Sequence, residues 1–279
     1  IHLAAENERY LSELPEHTGY FRETRIVEFI FLLSEKWHLD QSTRYQAVEL
    51  LDRFMIKQVE QMCESSSGNV AGGAQGPGSS WSSVKDHIVS TFVLRLVSCV
   101  QLASKLSLHY TRVTSDTALK FLQRLKYSYT KQELLESELA VLNTLHFHIN
   151  MSTPLAYVEL LLEVLGHNGC LFPAKPLHQV CVQLLDCCYL TRETIYDTLL
   201  KIAIENSTPS KLQVAKFLIV KEDFMLLAVG IISTGVFILS PGHWEQVVEH
   251  LNCITGISPQ SILEFSYAVL RGVVGRTMP

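Results

Sequence analysis

Two charged residues stand where charge is scarce. Lys105 comes near the end of Val97-Ser98-Cys99-Val100-Gln101-Leu102-Ala103-Ser104-Lys105-Leu106, and Glu138 sits in Leu134-Leu135-Glu136-Ser137-Glu138-Leu139-Ala140-Val141-Leu142. An ammonium offers three hydrogen-bond donors and a carboxylate offers only acceptors. Both form charge-assisted bonds, which are shorter and stronger than neutral ones. A bland reading competes with a functional one. Lysines in apolar helices usually snorkel their heads to water, and a glutamate on a leucine-rich helix usually marks a solvated face.

Other reactive residue types are less suited to chemistry. His146 and His148 flank Phe147; two residues apart on a helix they point to different faces, so they do not make a metal pair. They read as residues ending a helix, where a protonated imidazole favours the negative dipole end. Asp186 precedes the adjacent Cys187 and Cys188. Neighbouring cysteines on one helix cannot share a cleft, so they read as small buried hydrophobes. The chain has no G-x-x-x-x-G-K-[ST], H-E-x-x-H or G-x-S-x-G word, and each of those spacings serves a known catalytic geometry. The glycines at 68, 72, 73, 76 and 78 neither follow a strand nor precede a lysine. No catalytic residue, cofactor or metal ligand is expected, and the reading is of a protein that is not an enzyme.

Composition narrows the class. Of 279 residues, 47 % are hydrophobic and 18 % charged, which suits substantial cores and excludes a disordered chain. A net charge of -5 without a basic cluster argues against direct nucleic-acid binding, which needs cationic surface to displace counterions. Seven cysteines with no C-x-x-C pair read as reduced thiols of a cytosolic or nuclear protein. The opening Ile1-His2-Leu3-Ala4-Ala5-Glu6-Asn7-Glu8 is soon acidic and is no signal peptide. It also lacks an initiating Met, as a piece of a longer protein would. Phe224 to Leu239 carries no charge over sixteen residues. A membrane span needs about 20, so this segment is expected to be a buried core helix, and no membrane partner is expected.

The elements that must position Lys105 and Glu138 are helices. Ile26, Phe29, Ile30, Leu33 and Trp37 recur at three and four, the period of one helical face. Tyr45, Val48, Leu51, Phe54 and Met55 mark a second helix, about 41 to 63. A third runs from about 84 to 108. A fourth follows Thr114-Ser115-Asp116, and a fifth opens at Thr130, whose Glu133 three residues on completes a capping box. Thr153-Pro154 opens a further helix as cap and first position. Helices follow near 177–190 and 192–204, then an apolar helix after Ser207-Thr208-Pro209 to Leu239, then 244–251 and one from Ser258-Pro259. The division expected is an N-terminal segment 1–21, a helical domain 22–150 and a second helical domain 151–279. Ser65 to Ser80 holds five Ser and five Gly, so 64–83 is expected to be a flexible insertion, tolerated because loop closure costs little more as loops lengthen.

Several of these words resemble the cyclin family. Ala47-Val48 followed by Leu51-Asp52-Arg53-Phe54-Met55 resembles the second helix of the cyclin box. Leu102-Ala103-Ser104-Lys105 resembles its third, and Tyr129-Thr130-Lys131 with Leu135, Glu138, Val141-Leu142, Leu145 and Phe147 its fifth. The resemblance covers about 24 to 149 and is weak beyond. It implies an all-α tandem cyclin fold of two five-helix bundles, the second divergent. Asp52 and Arg53 are expected to tie their helix to its neighbours. In cyclins, the lysine and glutamate at positions matching Lys105 and Glu138 grip the regulatory helix of a protein kinase, so these two are the expected kinase-binding residues. The substrate-docking patch of cell-cycle cyclins would fall on Arg22-Glu23-Thr24-Arg25-Ile26 and Phe29, a charged surface replacing a greasy one, with Arg22, Ile26 and Phe29 as its degenerate remnant. The words most resemble a meiotic branch of the family connected with crossover formation. That implies a nuclear protein, the cytoplasm being the second compartment, whose partners are a cyclin-dependent kinase or other meiotic recombination proteins. Kinase regulator and non-kinase scaffold both remain open.

Overall fold

The computed structural model describes residues 2–68, 77–107, 112–169, 173–204 and 210–277. Its described residues form helices and turns and contain no strand. They divide into two compact units, His17–Met151 and a second made of Ile1–Glu16 with Ser152–Pro279.

The first unit holds α2 (Thr24–Lys36), α3 (Gln41–Gly68), α4 (Pro77–Leu106), α5 (Ser115–Arg124) and α6 (Lys131–Thr144). Helix α4 is the axis, packed against α3 and α6 most extensively and also against α2 and α5. Its Val97, Val100 and Ala103 meet a core that includes Ile30 of α2, Tyr45, Leu51 and Phe54 of α3, Leu122 of α5, and Leu134 and Val141 of α6, all buried. Burying each large apolar side chain contributes about 1.5–3 kcal/mol, so packing rather than helix propensity holds these elements. A 25-residue stretch of α4, Ser82–Leu106, is apolar and long enough to cross a membrane, yet more than half of its most apolar window is buried inside the protein.

The sequence sets the helix ends. Thr130 Oγ1 accepts from Glu133 N at 3.2 Å while the Glu133 carboxylate accepts from Thr130 N at 2.7 Å, the capping box anticipated above. These bonds to Thr130, backbone first, hold the Glu133 carboxyl below its ordinary range. Thr114 caps α5. The chain after α6 turns through His146 and Phe147, both at positive φ, so the histidines lie past the helix rather than in its last turn. Arg53 Nη2 donates to His148 O at 2.8 Å and Gln46 Nε2 to Ile149 O at 2.7 Å, closing this end onto α3.

The Ser/Gly insertion is narrower than the composition suggests. Backbone helix continues to Gly68 and resumes at Pro77, because extending an existing helix by a residue avoids the cost of nucleation. Residues 69–76, the middle of that insertion, lie outside the described residues.

In the second unit, α11 (Phe224–Leu239) is the axis, surrounded by α7 (Pro154–His167), α8 (Ala174–Leu190), α12 (Trp244–Thr255) and α13 (Pro259–Thr277). It is apolar all round because it is covered on all sides; only its last turn, Phe237 to Leu239, is exposed. Helix α9 (Arg192–Ala203) packs on α13. Two details differ from the sequence reading. Thr153 stands at the N-cap of α7 but its hydroxyl makes no capping bond. The expected single helix ending at Leu239 is two, α10 (Lys211–Glu222) and α11, because Asp223 leaves helical geometry and caps α11 by accepting from Leu226 N at 3.0 Å. Ser210 and Gln213 form a second capping box at the start of α10.

The first helix, α1 (His2–Ser12), belongs to this second unit. Asn7 donates to Asp223 Oδ1 at 2.9 Å and accepts from Phe224 N at 3.2 Å. Tyr10 donates to Glu222 Oε2 at 2.9 Å and stacks on Phe224. Glu6 accepts from the main chain and hydroxyl of Ser152. Fully buried Glu222 is also bound by Arg192, whose guanidinium donates to Lys221 O as well. The segment 1–21 is therefore split, its helix joining one unit and His17 onward the other.

Candidate functional site

The seam between α4 and α6 brings the two singled-out residues together. Lys105 lies in the last turn of α4, where a cation is favoured by the exposed carbonyl ends. Its Nζ donates to both carboxylate oxygens of Glu138, at 2.6 and 2.9 Å. Along the same seam Ser98 Oγ donates to Ser137 Oγ at 2.8 Å in the interior. The side chain of Lys105 is 42 % exposed and that of Glu138 only 7 %. Solvent on the lysine side limits the worth of this pair to about 1 kcal/mol.

The pair keeps spare bonding capacity. An ammonium has three protons and a carboxylate about four acceptor positions; the contacts above use part of each. Leu135 and Leu139 of α6 flank Glu138 and are exposed, Leu142 is half-buried, and Phe147 beyond the helix is exposed. This apolar strip beside an ion pair is absent from the core it could have joined, since α6 already buries Leu134, Ser137 and Val141 on an adjoining face. The sequence pattern could have shown it: leucines on consecutive turns at 135, 139 and 142 share one side of the helix, about a third of a turn round from Leu134 and Val141. Ser98 and Ser137, small polar residues inside apolar runs, were the missed signal of the hydroxyl contact.

The other three residues divide. Ile26 and Phe29 are half-buried on α2, and Phe29 lies against Phe121, with Trp37 edge-on to the same ring. Arg22 corrects the surface reading. It precedes α2, its side chain is buried, and its guanidinium binds Glu49 at 2.7 Å and Asp52 at 3.4 Å. A gapless count along the sequence places Arg22 on the front of a helix, whereas the chain before Thr24 turns it inward. The exposed charges of that front are Glu23 and Arg25. Asp52 also accepts from Gly19 N and Phe21 N, and with Arg53 it ties α3 to neighbouring segments. Arg44 lies over Phe31 and Tyr45, and Arg95 over Phe54; burial lowers the Arg95 pKa from its ordinary value. Among the described residues no cluster of His, Cys, Asp and Glu could hold a metal ion.

Four helices around a central α4, with an ion pair and an apolar strip on the α4–α6 side, define the class. The chain is similar in shape to a viral cyclin from herpesvirus saimiri, with a TM-score of 0.57 at 14 % identity and 97 % of each chain covered. The fold is the all-α cyclin fold. No family profile matches the chain. In sequence it is 58 % identical over 279 residues to mouse cyclin N-terminal domain-containing protein 1, covering all of this chain and 83 % of that one. It is 55 % identical to the human protein of the same name, covering 84 % of it. The chain belongs to this family of cyclin-like proteins.

Proposed function

We propose that the first unit binds a cyclin-dependent protein kinase through α4 and α6, with Lys105 and Glu138 at the centre of the contact. The observation that carries this reading is the half-exposed Lys105 on a nearly buried Glu138, beside exposed Leu135 and Leu139. On docking, the third ammonium proton of Lys105 meets a main-chain carbonyl of the kinase, and Glu138 takes an N–H. Both bonds are charge-assisted, and the leucines supply apolar area at the centre of the interface. Holding the kinase's regulatory helix in one of its two positions aligns its catalytic lysine–glutamate pair for phosphoryl transfer. This protein then regulates another's catalysis and performs none itself. The resemblance of the α3 and α6 words to a meiotic cyclin branch supports a role in meiotic recombination and crossover maturation, in the nucleus.

The test is co-purification with a panel of cyclin-dependent kinases, wild type beside Lys105→Glu and Glu138→Lys, with Lys105→Met as the milder change. Retention of one kinase by the wild type and its loss in both reversals, with helical content and melting intact, supports the reading. Binding that ignores both reversals sinks it. A second reading has its own observation: Lys105 and Glu138 are already bonded to one another, and the α2 front carries Glu23 and Arg25 in place of an apolar patch. On that reading the fold is a scaffold in a non-kinase crossover complex, and the panel retains nothing.

A further inference from the structure

Helix α10 is the element of the second unit that its fold uses least. Of Lys211–Glu222, Phe217 and Glu222 are buried, yet its exposed part mixes apolar side chains with lysines. Leu212 is 64 % exposed and Ile219 50 %, and Val214 is exposed as well. Leu212, Lys216 and Ile219 follow one another at four and three residues, so they form one face. Lys211 and Lys216 are exposed and form no ion pair with any described residue. On a chain of net charge -5 this is a basic, apolar ridge without a cover.

A complementary ridge exists on the same chain. The outer face of α6 carries Leu135, Leu139 and Leu142 with Glu136 beside them, and Glu136 is exposed. Its side-chain partner is the neutral Gln132, which donates to Glu136 Oε1 at 2.9 Å. The spacings match. Leu212 to Ile219 and Leu135 to Leu142 are each seven residues, or about 10.5 Å of helix. Laid antiparallel, Ile219 meets Leu135 and Leu212 meets Leu142. Lys216 and Glu136 are then about 3 Å apart along the axis, within the reach of a lysine side chain. Apolar residues meet apolar ones, and the lysine meets an anion whose own side-chain partner is neutral.

We propose that this protein self-associates head to tail, α10 of one copy seated on the α6 face of the next. The contact joins different surfaces and is heterologous, so it adds copies in series unless the rotation closes a ring. Two short helix faces cover less than the roughly 1,200–2,000 Å² of stable complexes, so the association is weak and grows with concentration. It occupies the α6 face assigned above to a kinase, but the association stands whether or not a kinase binds there.

Sedimentation velocity on the full chain over a hundredfold concentration range tests this. The weight-average sedimentation coefficient of the wild type rises with concentration. Lys216→Glu and Glu136→Lys each weaken the association by about tenfold or more. An equimolar mixture of the two variants regains it, because every contact then pairs opposite charges. Both side chains are exposed, and a thermal melt run in parallel confirms the fold. A wild type that stays monomeric overturns the proposal. So does association that neither reversal weakens, or a mixture no better than its components. Association removed by Lys216→Glu but untouched by Glu136→Lys assigns α10 another occupant and overturns it equally. Kinase retention by Lys216→Glu, which lies outside the kinase-binding face, is read separately and reports only on the kinase assignment.

Discussion

Arg22→Met separates two roles that the sequence assigned to one place. The side chains of Arg22, Glu49 and Asp52 are 2, 4 and 0 % exposed. Replacing the guanidinium with an apolar side chain of similar length takes the Arg22 cation away from two buried carboxylates. Removing one partner of a buried ion pair costs roughly 3–5 kcal/mol, mostly the desolvation of the charge left behind. The unit concerned has about 135 residues. At roughly 2.1 cal/mol/K per residue its unfolding entropy converts that loss into a fall in melting temperature of about 10–18 °C. Lys105→Met, at a pair open to water on one side, should cost about 1 kcal/mol or less and move the melt by a few degrees. Adding Glu49→Gln to Arg22→Met removes one stranded charge and should restore part of the loss. The assay is calorimetry or circular dichroism at neutral pH, with the two units resolved as separate transitions where they separate. If Arg22→Met melts within about 1 kcal/mol of wild type, the buried triad is not what holds the chain before α2 onto α3. If Lys105→Met costs as much as Arg22→Met, the Lys105–Glu138 pair is a structural one and the reasoning fails at its base.

Two other outcomes follow from the packing. A methyl group at Gly230 would overlap the ring of fully buried Phe265, so Gly230→Ala should cost about 1–3 kcal/mol, whereas Gly166→Ala, in a helix with open space around it, should stabilise by roughly 0.5–1 kcal/mol; equal melts would refute the close approach of α13 to α11. Among the described cysteines, mass spectrometry after alkylation at pH 8 should find exposed Cys253 modified first, half-buried Cys63 and Cys187 more slowly, and Cys99, Cys181 and Cys188 only on unfolding, with early labelling of Cys181 the contrary result. Burial pushes the Cys181 thiol up to about 12 and raises Cys99 and Cys188 also. A raised thiol pKa leaves stability intact below the ordinary thiol value and removes it as the pH climbs through the folded-state value, so an alkaline titration should show unfolding that begins above about pH 8.5.

Helix positions were legible because they rest on local signals. The Thr130–Glu133 box and the apolar periods of α2 and α3 need only a few neighbouring residues to act. What failed needed distant partners. A gapless count along the sequence puts Arg22 on the front of a helix, and nothing local reveals that Glu49 and Asp52 meet it across a turn. Lys105 and Glu138 stand out locally as charges in apolar runs, but their bond to one another depends on how α4 crosses α6. The break at Asp223 was hidden by the apolar run that surrounds it, since a continuous helix and a capped pair share the same composition. Asp223 after Glu222 was the available sign, because an acidic residue before an apolar run can cap. The docking of α1 had no sign at all: Glu6, Asn7 and Tyr10 are ordinary polar residues until Ser152, Glu222 and Asp223 are placed beside them.

That docking makes the second unit discontinuous in the chain, and this has a consequence for synthesis. Asn7 and its partner Phe224 are 217 residues apart. At about 5–20 residues per second a ribosome needs roughly 10–40 s between them. Over that time α1 waits for Glu222, Asp223 and Phe224, while the segment from His17 to Met151 is completed and can fold first. The emerging chain thus carries an eleven-residue helix too short to persist alone in water, tethered to a folded neighbour. Chain closure around the newborn protein is therefore one of its last folding events, and a nascent chain stalled short of Phe224 would display the inner face of α1 to whatever chaperone or protease meets it first.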